Sequence, residues 1–255
     1  MSEGIIQRIS NFLKSGNTDN VSVKLTPETG LELGLLFGGV ADPATVMKLS
    51  ISGAIQKADL RYMRKKMADT LQEIDISKVE FENNRLPSKI FNKYTALTSI
   101  ILPKSITEIR KKSFSLCTAL PSIDIPDSVV TIDDLCFYRC SGLVSVSIPD
   151  SVVEINFRAF ADCSALTSVT IPDSVVKIEG AAFGGCTALS TVNLPDADIE
   201  IGNYAFSNCT ALTSIFIPRQ IIKIGNGVFE GSPTVVTVHP DNPVYKSEDG
   251  VLKTK

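Results

Sequence analysis

From Leu97 onward the same apolar positions return every 23 residues. Leu97, Leu120, Leu143, Leu166, Leu189, Leu212 and Val235 form one column. Phe114, Phe137, Phe160, Phe183, Phe206 and Phe229 form a second, and Pro103, Pro126, Pro149, Pro172, Pro195 and Pro218 a third. Cys117, Cys140, Cys163, Cys186 and Cys209 keep the same step, and Ser232 takes the next slot. Four columns in one register identify an internal repeat. A period between about 20 and 30 residues marks a solenoid in which each coil touches only its neighbours.

The unit from Leu166 to Ala188, LTSVTIPDSVVKIEGAAFGGCTA, serves as the example. Leu166, Val169 and Ile171 point inward from a short strand, which Pro172 ends because proline has no N–H for a continuing ladder. Pro172-Asp173-Ser174 makes a corner. Val175 and Ile178, or Val176 and Ile178, supply a second extended piece. Ala182, Phe183 and Cys186 are placed on a short turn of helix, with the phenylalanines stacked as an aromatic spine.

The preceding 96 residues follow a looser version of the pattern. Ile5, Ile6, Ile9, Phe12 and Leu13 suit a short amphipathic helix. Val21, Val23 and Leu25 alternate as a strand. Thr26-Pro27 opens a helix carrying Leu31, Leu33, Leu35, Leu36 and Phe37. Val46, Leu49 and Ile51 form the next strand, ended by Gly53. A helix over about 57–67 carries Leu60, Met63 and Met67, and Leu71, Ile74 and Ile76 repeat the strand form. After the array, Val244, Tyr245, Val251 and Leu252 flank Glu248-Asp249-Gly250 as a hairpin over the open edge. The organisation read from these elements is an N-terminal cap of helices and strand (1–45), irregular opening repeats (46–96), regular repeats (97–239) and a C-terminal capping hairpin or truncated continuation (240–255).

Composition changes this picture little. The apolar share of 44% fits a folded chain, and the net charge of −3 gives no global pull toward nucleic acid. No apolar run is long enough to span a membrane. The first 20 residues lack the marks of a secretory leader, so the expectation divides between a cytosolic protein and one whose leader has been removed. Charge is uneven: residues 57–112 carry net +6 and residues 113–255 net −8.

The unit L-x-x-[IV]-x-I-P-x-S-V-x-x-I-x-x-x-[AS]-F-x-x-C resembles the BspA-like leucine-rich repeat family. Strings such as LTSVTIPDSVVKIEGAAF and LVSVSIPDSVVEI carry the likeness, which covers roughly residues 46–252. ISGAIQKADLRYMRKKMADTLQEIDIS is similar to the irregular coils that precede such arrays, and NPVYKSEDGVLK to a stretch that follows them. The resemblance implies an α/β repeat: a right-handed leucine-rich-repeat solenoid with parallel strands on the concave face, short helices or turns on the convex side and a helical N-terminal cap. It also implies adhesion or protein recognition by surface or secreted proteins of host-associated bacteria, with no shared catalytic residues.

Candidate chemistry is sparse. The cysteine column lacks C-x-x-C pairs for a metal. Neighbouring coils bring cysteines within disulfide range, but five identical positions fit better as a buried ladder of free thiols. His239 has no placed nucleophile or acid beside it. Asp127, Asp150, Asp173 and Asp196 form an acidic column, open to calcium but better suited to Asx-type corner turns. Glu154, Lys177, Glu200 and Lys223 alternate in sign and are expected to pair across the ladder. Arg61, Arg64, Lys65, Lys66, Arg110, Lys111 and Lys112 could form a basic patch, without the interleaved aromatics that nucleic acid would call for.

The strand face offers the best candidate surface. Its outward column runs Ile101, Asp124, Ser147, Thr170, Asn193, Phe216 and His239, beside a hydroxyl column from Ser99 to Thr237. In an array of copies, the varying exposed column is where recognition is tuned. The functional expectation is a non-enzymatic module, with no cofactor and no metal, that binds a protein or glycan at a bacterial surface. The alternative is a cytosolic interaction scaffold of the same fold.

Overall fold

In a computed structural model, residues 20–25, 43–55 and 57–255 are described. The chain winds into coils stacked through three parallel hydrogen-bond ladders, one along each side. Along the strand face run Asn20–Leu25, Lys48–Ala54, Glu73–Glu80 and Ser99–Ile101, paired in that order. Ser122–Asp124 pairs with Ser145–Ser147, Ser168–Thr170 with Thr191–Asn193, and Ser214–Ile217 with Val235–Val238. A second sheet stacks two-residue strands, from Arg85–Leu86 to Lys223–Ile224, in seven successive coils.

Of the short helices or turns expected on the third side, the structure has turns, and the short turn of helix read at Ala182, Phe183 and Cys186 is not formed. This side is a run of overlapping β-turns. Phe114 N–H donates across its turn-face ladder to Cys136 O at 2.9 Å, flanked by Lys112 N–H to Asp134 O and Leu116 N–H to Tyr138 O. Two residues per coil adopt left-handed φ to make these turns, in columns that include Lys112, Leu135, Arg158, Ala181 and Tyr204, and Leu116, Arg139, Asp162 and Gly185. A helical turn would direct its N–H groups back into its own coil. Here every second N–H leaves along the solenoid axis instead, and those between close the turns within the coil. Among the described residues the α-helix is Lys57–Lys66. Met63, with Met67 just beyond it, faces the core, and Arg64, Lys65 and Lys66 complement the negative end of its dipole. The expected N-terminal helices lie outside the described residues.

The core is set by the columns. Phe91, Phe114, Phe137, Phe160, Phe183 and Phe206 are fully buried, with successive ring centroids 5.0–5.5 Å apart. Phe229 closes the stack at 6.2 Å. Beside the rings, each thiol of the 23-residue cysteine column donates to a phenylalanine carbonyl of the preceding coil. Cys140 Sγ reaches Phe114 O at 3.0 Å, Cys163 Sγ reaches Phe137 O at 3.1 Å, and Ser232 Oγ continues the ladder to Phe206 O at 2.9 Å. All six cysteines are free and buried. Burial pushes the thiols of Cys117, Cys136, Cys163 and Cys186 well up, and that of Cys209 up to about 12, so they remain protonated.

The corners depart from the expected chemistry. Asp127, Asp150 and Asp173 stand exposed, their carboxylates without hydrogen bonds among the described residues, and only Asp196 of the column accepts a backbone N–H there, from Gln220 at 3.2 Å. The serine after each does the tying: Ser128 Oγ donates to Ile106 O, Ser151 Oγ to Val129 O and Ser174 Oγ to Val152 O, at 2.6–2.7 Å. A hydroxyl can donate to the carbonyls that point along the axis, and a carboxylate cannot. In the coil with Asp198, the buried place held elsewhere by Val152 and Val175 passes to Ile199, so the charge stays in water. Elsewhere, the strand at Gly53 continues to Ala54, with Gly53 at φ +86°.

The ends are closed differently. Toward the N-terminus the cysteine slot holds Tyr94, edge-on to Phe91 at 5.4 Å. Its ring is fully buried, and its hydroxyl has no hydrogen-bond partner among the described residues. Burial raises its pKa. Toward the C-terminus, Tyr245–Glu248 and Val251–Thr254 pair as the expected hairpin. Asp249 and Gly250 both have positive φ, as a two-residue hairpin turn requires. Asn242 latches it. Buried at 0%, Asn242 donates to Pro218 O and Ile221 O and accepts from Val244 and Tyr245 N–H, all at 2.8–3.0 Å.

Three stability outcomes are expected. Phe183→Ala removes a ring from the middle of the stack and costs about 3–5 kcal/mol in denaturant unfolding; an unchanged midpoint would contradict the packing. Tyr94→Phe deletes an unsatisfied hydroxyl and is expected to be neutral or to stabilise by roughly 1 kcal/mol; a clear loss would show that the hydroxyl has a partner. Asn242→Ala strands two carbonyls and two amides and should cost upwards of about 2 kcal/mol. Hydrogen exchange would register it as faster exchange at Val244 and Tyr245, and unaltered protection there would contradict the latch.

Candidate partner-binding face

The strand face is built by alternation. In Ser168–Thr170, Val169 enters the core and its two neighbours face out. Because coils stack in register, the outward residues line up: Ser168 beside Thr191, and Thr170 beside Asn193. Ile101, Asp124, Ser147, Thr170, Asn193 and Phe216 are all exposed. Ile101 at 54% and Phe216 at 51% are the large apolar members of the column. Five coil steps separate them, about 24 Å at the usual strand spacing. Between them the surface is polar, and Asn193 Nδ2 donates to Thr170 Oγ1 at 3.2 Å.

His239 does not join this column. Cys209 to Ser214 is five positions, whereas Ser232 to Val235 is three, with Ser214 opposite Val235 and Phe216 opposite Thr237. The last coil is therefore two residues shorter. Thr237 takes the place assigned to His239, and Val235 is 53% exposed instead of entering the core. The hairpin accounts for the change: Val236 N–H donates to Gly250 O at 2.7 Å, on the side where a further coil would stack. His239 follows the strand, half-buried, its ring edge-on to Phe216 at 6.3 Å. It flanks the aromatic from the end of the face.

The face also extends further than the regular repeats. Glu73 and Asp75 pair with Ser99 and Ile101, and Lys48 and Ser50 lie beside them in turn. Lys48 Nζ meets Glu73 Oε1 at 2.8 Å. These residues, with Ser22, Ser99 and Ile101, line a shallow recess of about 380 Å³. A second recess of about 690 Å³ lies at the corner below Ile101, bounded by Lys104, Asp124, Pro126 and Asp127. The signal for them was in the sequence: the L-x-x-I-x-I form of the opening strands places Ser50 and Asp75 in the outward column.

The charged columns are more local than alternation suggests. Glu154, Lys177, Glu200 and Lys223 do lie side by side. Lys223 reaches Glu200 at 3.8 Å, but Lys177 turns to Glu179 of its own coil at 2.8 Å. The first pair is exposed and the second half-buried at the surface, and both contribute little to stability. The basic patch divides as well. Lys111 pairs with Asp134 at 3.0 Å and Arg110 lies 3.7 Å from Glu108, while Arg64 bonds to Lys89 O at 3.3 Å. Among the described residues no helix is long and apolar enough to cross a membrane.

Comparison with known proteins agrees with this architecture. A search of the curated proteins finds no match. Among solved structures, a leucine-rich repeat protein from Bacteroides ovatus is 25% identical with a TM-score of 0.53, over 70% of this chain and 50% of its own. A leucine-rich cell surface protein from Faecalibacterium prausnitzii is 24% identical with a TM-score of 0.53, over 76% of this chain and 60% of its own. The chain thus spans about half to three-fifths of these proteins' lengths. The family described as BspA type leucine-rich repeat region matches in six copies, over residues 68–175 and 130–253. Those segments cover most of the sequence and carry the columns described above, and the chain belongs to the BspA-type leucine-rich repeat family.

Proposed function

We propose that this chain is a non-enzymatic recognition module of a bacterial cell-surface or secreted protein. Its solenoid has the right-handed winding that the family implies, and it binds a protein through the strand face. The observation that carries this reading is the outward column itself. Its neighbours repeat as serine and threonine, while it changes from coil to coil and sets Ile101 and Phe216 as exposed apolar anchors in a polar field. Large apolar and aromatic side chains ringed by polar groups carry most of the energy in typical interfaces. A rigid parallel ladder holds them at fixed separation, so little ordering cost falls on binding. Family membership supports the surface or secreted setting.

The test is binding of the purified chain to an array of host matrix and surface proteins, at low and physiological salt. Phe216→Ala and Ile101→Ser are expected to weaken a protein hit at least about tenfold each. Both should leave stability within about 1 kcal/mol, since neither side chain is in the core. A protein hit that survives both substitutions would overturn the strand face as the site. A chain that captures partners only from bacterial cytosol would replace adhesion with an internal scaffold.

A further inference from the structure

The side of the solenoid between the second sheet and the turns carries a notch that the repeat pattern does not require. Three successive coils present Phe157-Arg158, Gly180-Ala181 and Asn203-Tyr204 at equivalent positions. They are joined by Arg158 N–H to Gly180 O at 3.1 Å and Ala181 N–H to Asn203 O at 2.8 Å. The middle coil is bare where its neighbours are bulky. Gly202 extends the bare floor by one more position. The result is a cleft of about 600 Å³, within the size range of small-ligand sites. Its mouth is two coil steps wide, about 10 Å.

The walls are aromatic and exposed. Phe157 is 42% and Tyr204 46% exposed. Phe157 leans over Gly180: a Cβ placed there would meet the ring at 3.5 Å. Arg158 Cζ lies 5.2 Å from the centroid of the Phe157 ring, holding a guanidinium at the rim. The Lys177–Glu179 ion pair, at 2.8 Å, stands at the same opening.

We infer that this notch is a binding subsite for a hexopyranose unit of a glycan, separate from the strand face. The chemistry selects the ligand. An aromatic face is electron-rich and attracts the weakly positive C–H groups on the flat side of a pyranose ring. A sugar hydroxyl both donates and accepts, so it needs both kinds of partner at the rim. Glu179 supplies a carboxylate acceptor, Lys177 and Arg158 supply donors, and Tyr204 a hydroxyl that does either. Two cations against one carboxylate leave room for a neutral sugar or a uronic acid. The mouth is open along the solenoid side, so the unit can belong to a longer chain. This inference does not rest on the strand-face reading, because no residue is shared between the two sites.

Saturation-transfer NMR with glucose, galactose, N-acetylglucosamine and glucuronic acid, and with short oligomers of each, tests the inference. Transfer to the ring C–H protons of at least one sugar is expected. Phe157→Ala and Tyr204→Ala should each reduce it several-fold, with an unchanged melting temperature. Gly180→Leu should abolish it by filling the notch. The Gly180 backbone accepts a Cβ, since it lacks a positive φ and a Cβ there would have only ordinary contacts at 3.4 Å or more, and the melting temperature of Gly180→Leu is measured beside its signal to confirm that it folds. Phe216→Ala, on the strand face, should leave the signal intact. No transfer from any of the sugars, or transfer undiminished in Gly180→Leu, would overturn the inference. Loss in Phe216→Ala with retention in Phe157→Ala would do the same by placing the sugar on the strand face.

Discussion

The structure depends on one constraint: each coil must return to the same height with the same number of residues. On each side, backbone N–H and C=O groups point along the axis between the i→i−3 bonds that close the turns, so a coil cannot satisfy its ladder hydrogen bonds alone. Its neighbour must present a matching carbonyl at each position. A constant 23-residue step does this, and it also brings every phenylalanine over the last and every thiol under a carbonyl. Stability is then a sum of nearest-neighbour interfaces, each repeating the same contacts. The cysteine fits this requirement closely. It is small enough for the crowded slot, apolar enough to be buried, and still able to donate. Serine at 232 keeps the donor near the end of the array, where burial is less complete.

The same constraint explains why departures gather where they do. The ends cannot be regular, because a coil there lacks a neighbour on one side. Tyr94 and the helix Lys57–Lys66 close one side of the ring stack, and the hairpin held by Asn242 closes the other. Within the array, variation is free only where a side chain leaves the ladder. That is the outward strand column, and the side columns where Phe157, Gly180 and Tyr204 make a notch without disturbing a single backbone bond. A stiff repetitive frame can therefore carry two unlike surfaces, a long strand face with spaced apolar anchors and a compact aromatic cleft.

Much of this was legible in the sequence because translation by one coil is a sequence operation. If Phe160 is inside, so are Phe137 and Phe183. If Thr170 faces out, so does Asn193. Where the count is constant, a position's environment can be copied from its neighbour. His239 fails for that reason alone: the last coil is two residues shorter between Ser232 and the strand, which moves Thr237 into its place. Asp198 was visible as an anomaly, but the transfer of its buried place to Ile199 was not. The turn face was misread because a short apolar pattern such as Ala182-Phe183 to Cys186 suits a helical turn and a pair of left-handed β-turns equally well.

The sequence by itself determined the coil length, the family and, up to the shortened last coil, the inward and outward columns, since each is a matter of spacing and residue type. The tertiary structure decided which donors meet which acceptors. It placed serines instead of aspartates at the corner carbonyls, turned Lys177 toward its own coil, and drew the opening strands into the candidate face. It also set two aromatic side chains, 47 residues apart in sequence, on either side of a bare coil. Such outcomes depend on where a backbone path puts side chains from different coils, at a scale of a few ångströms. Periodicity does not encode that distance.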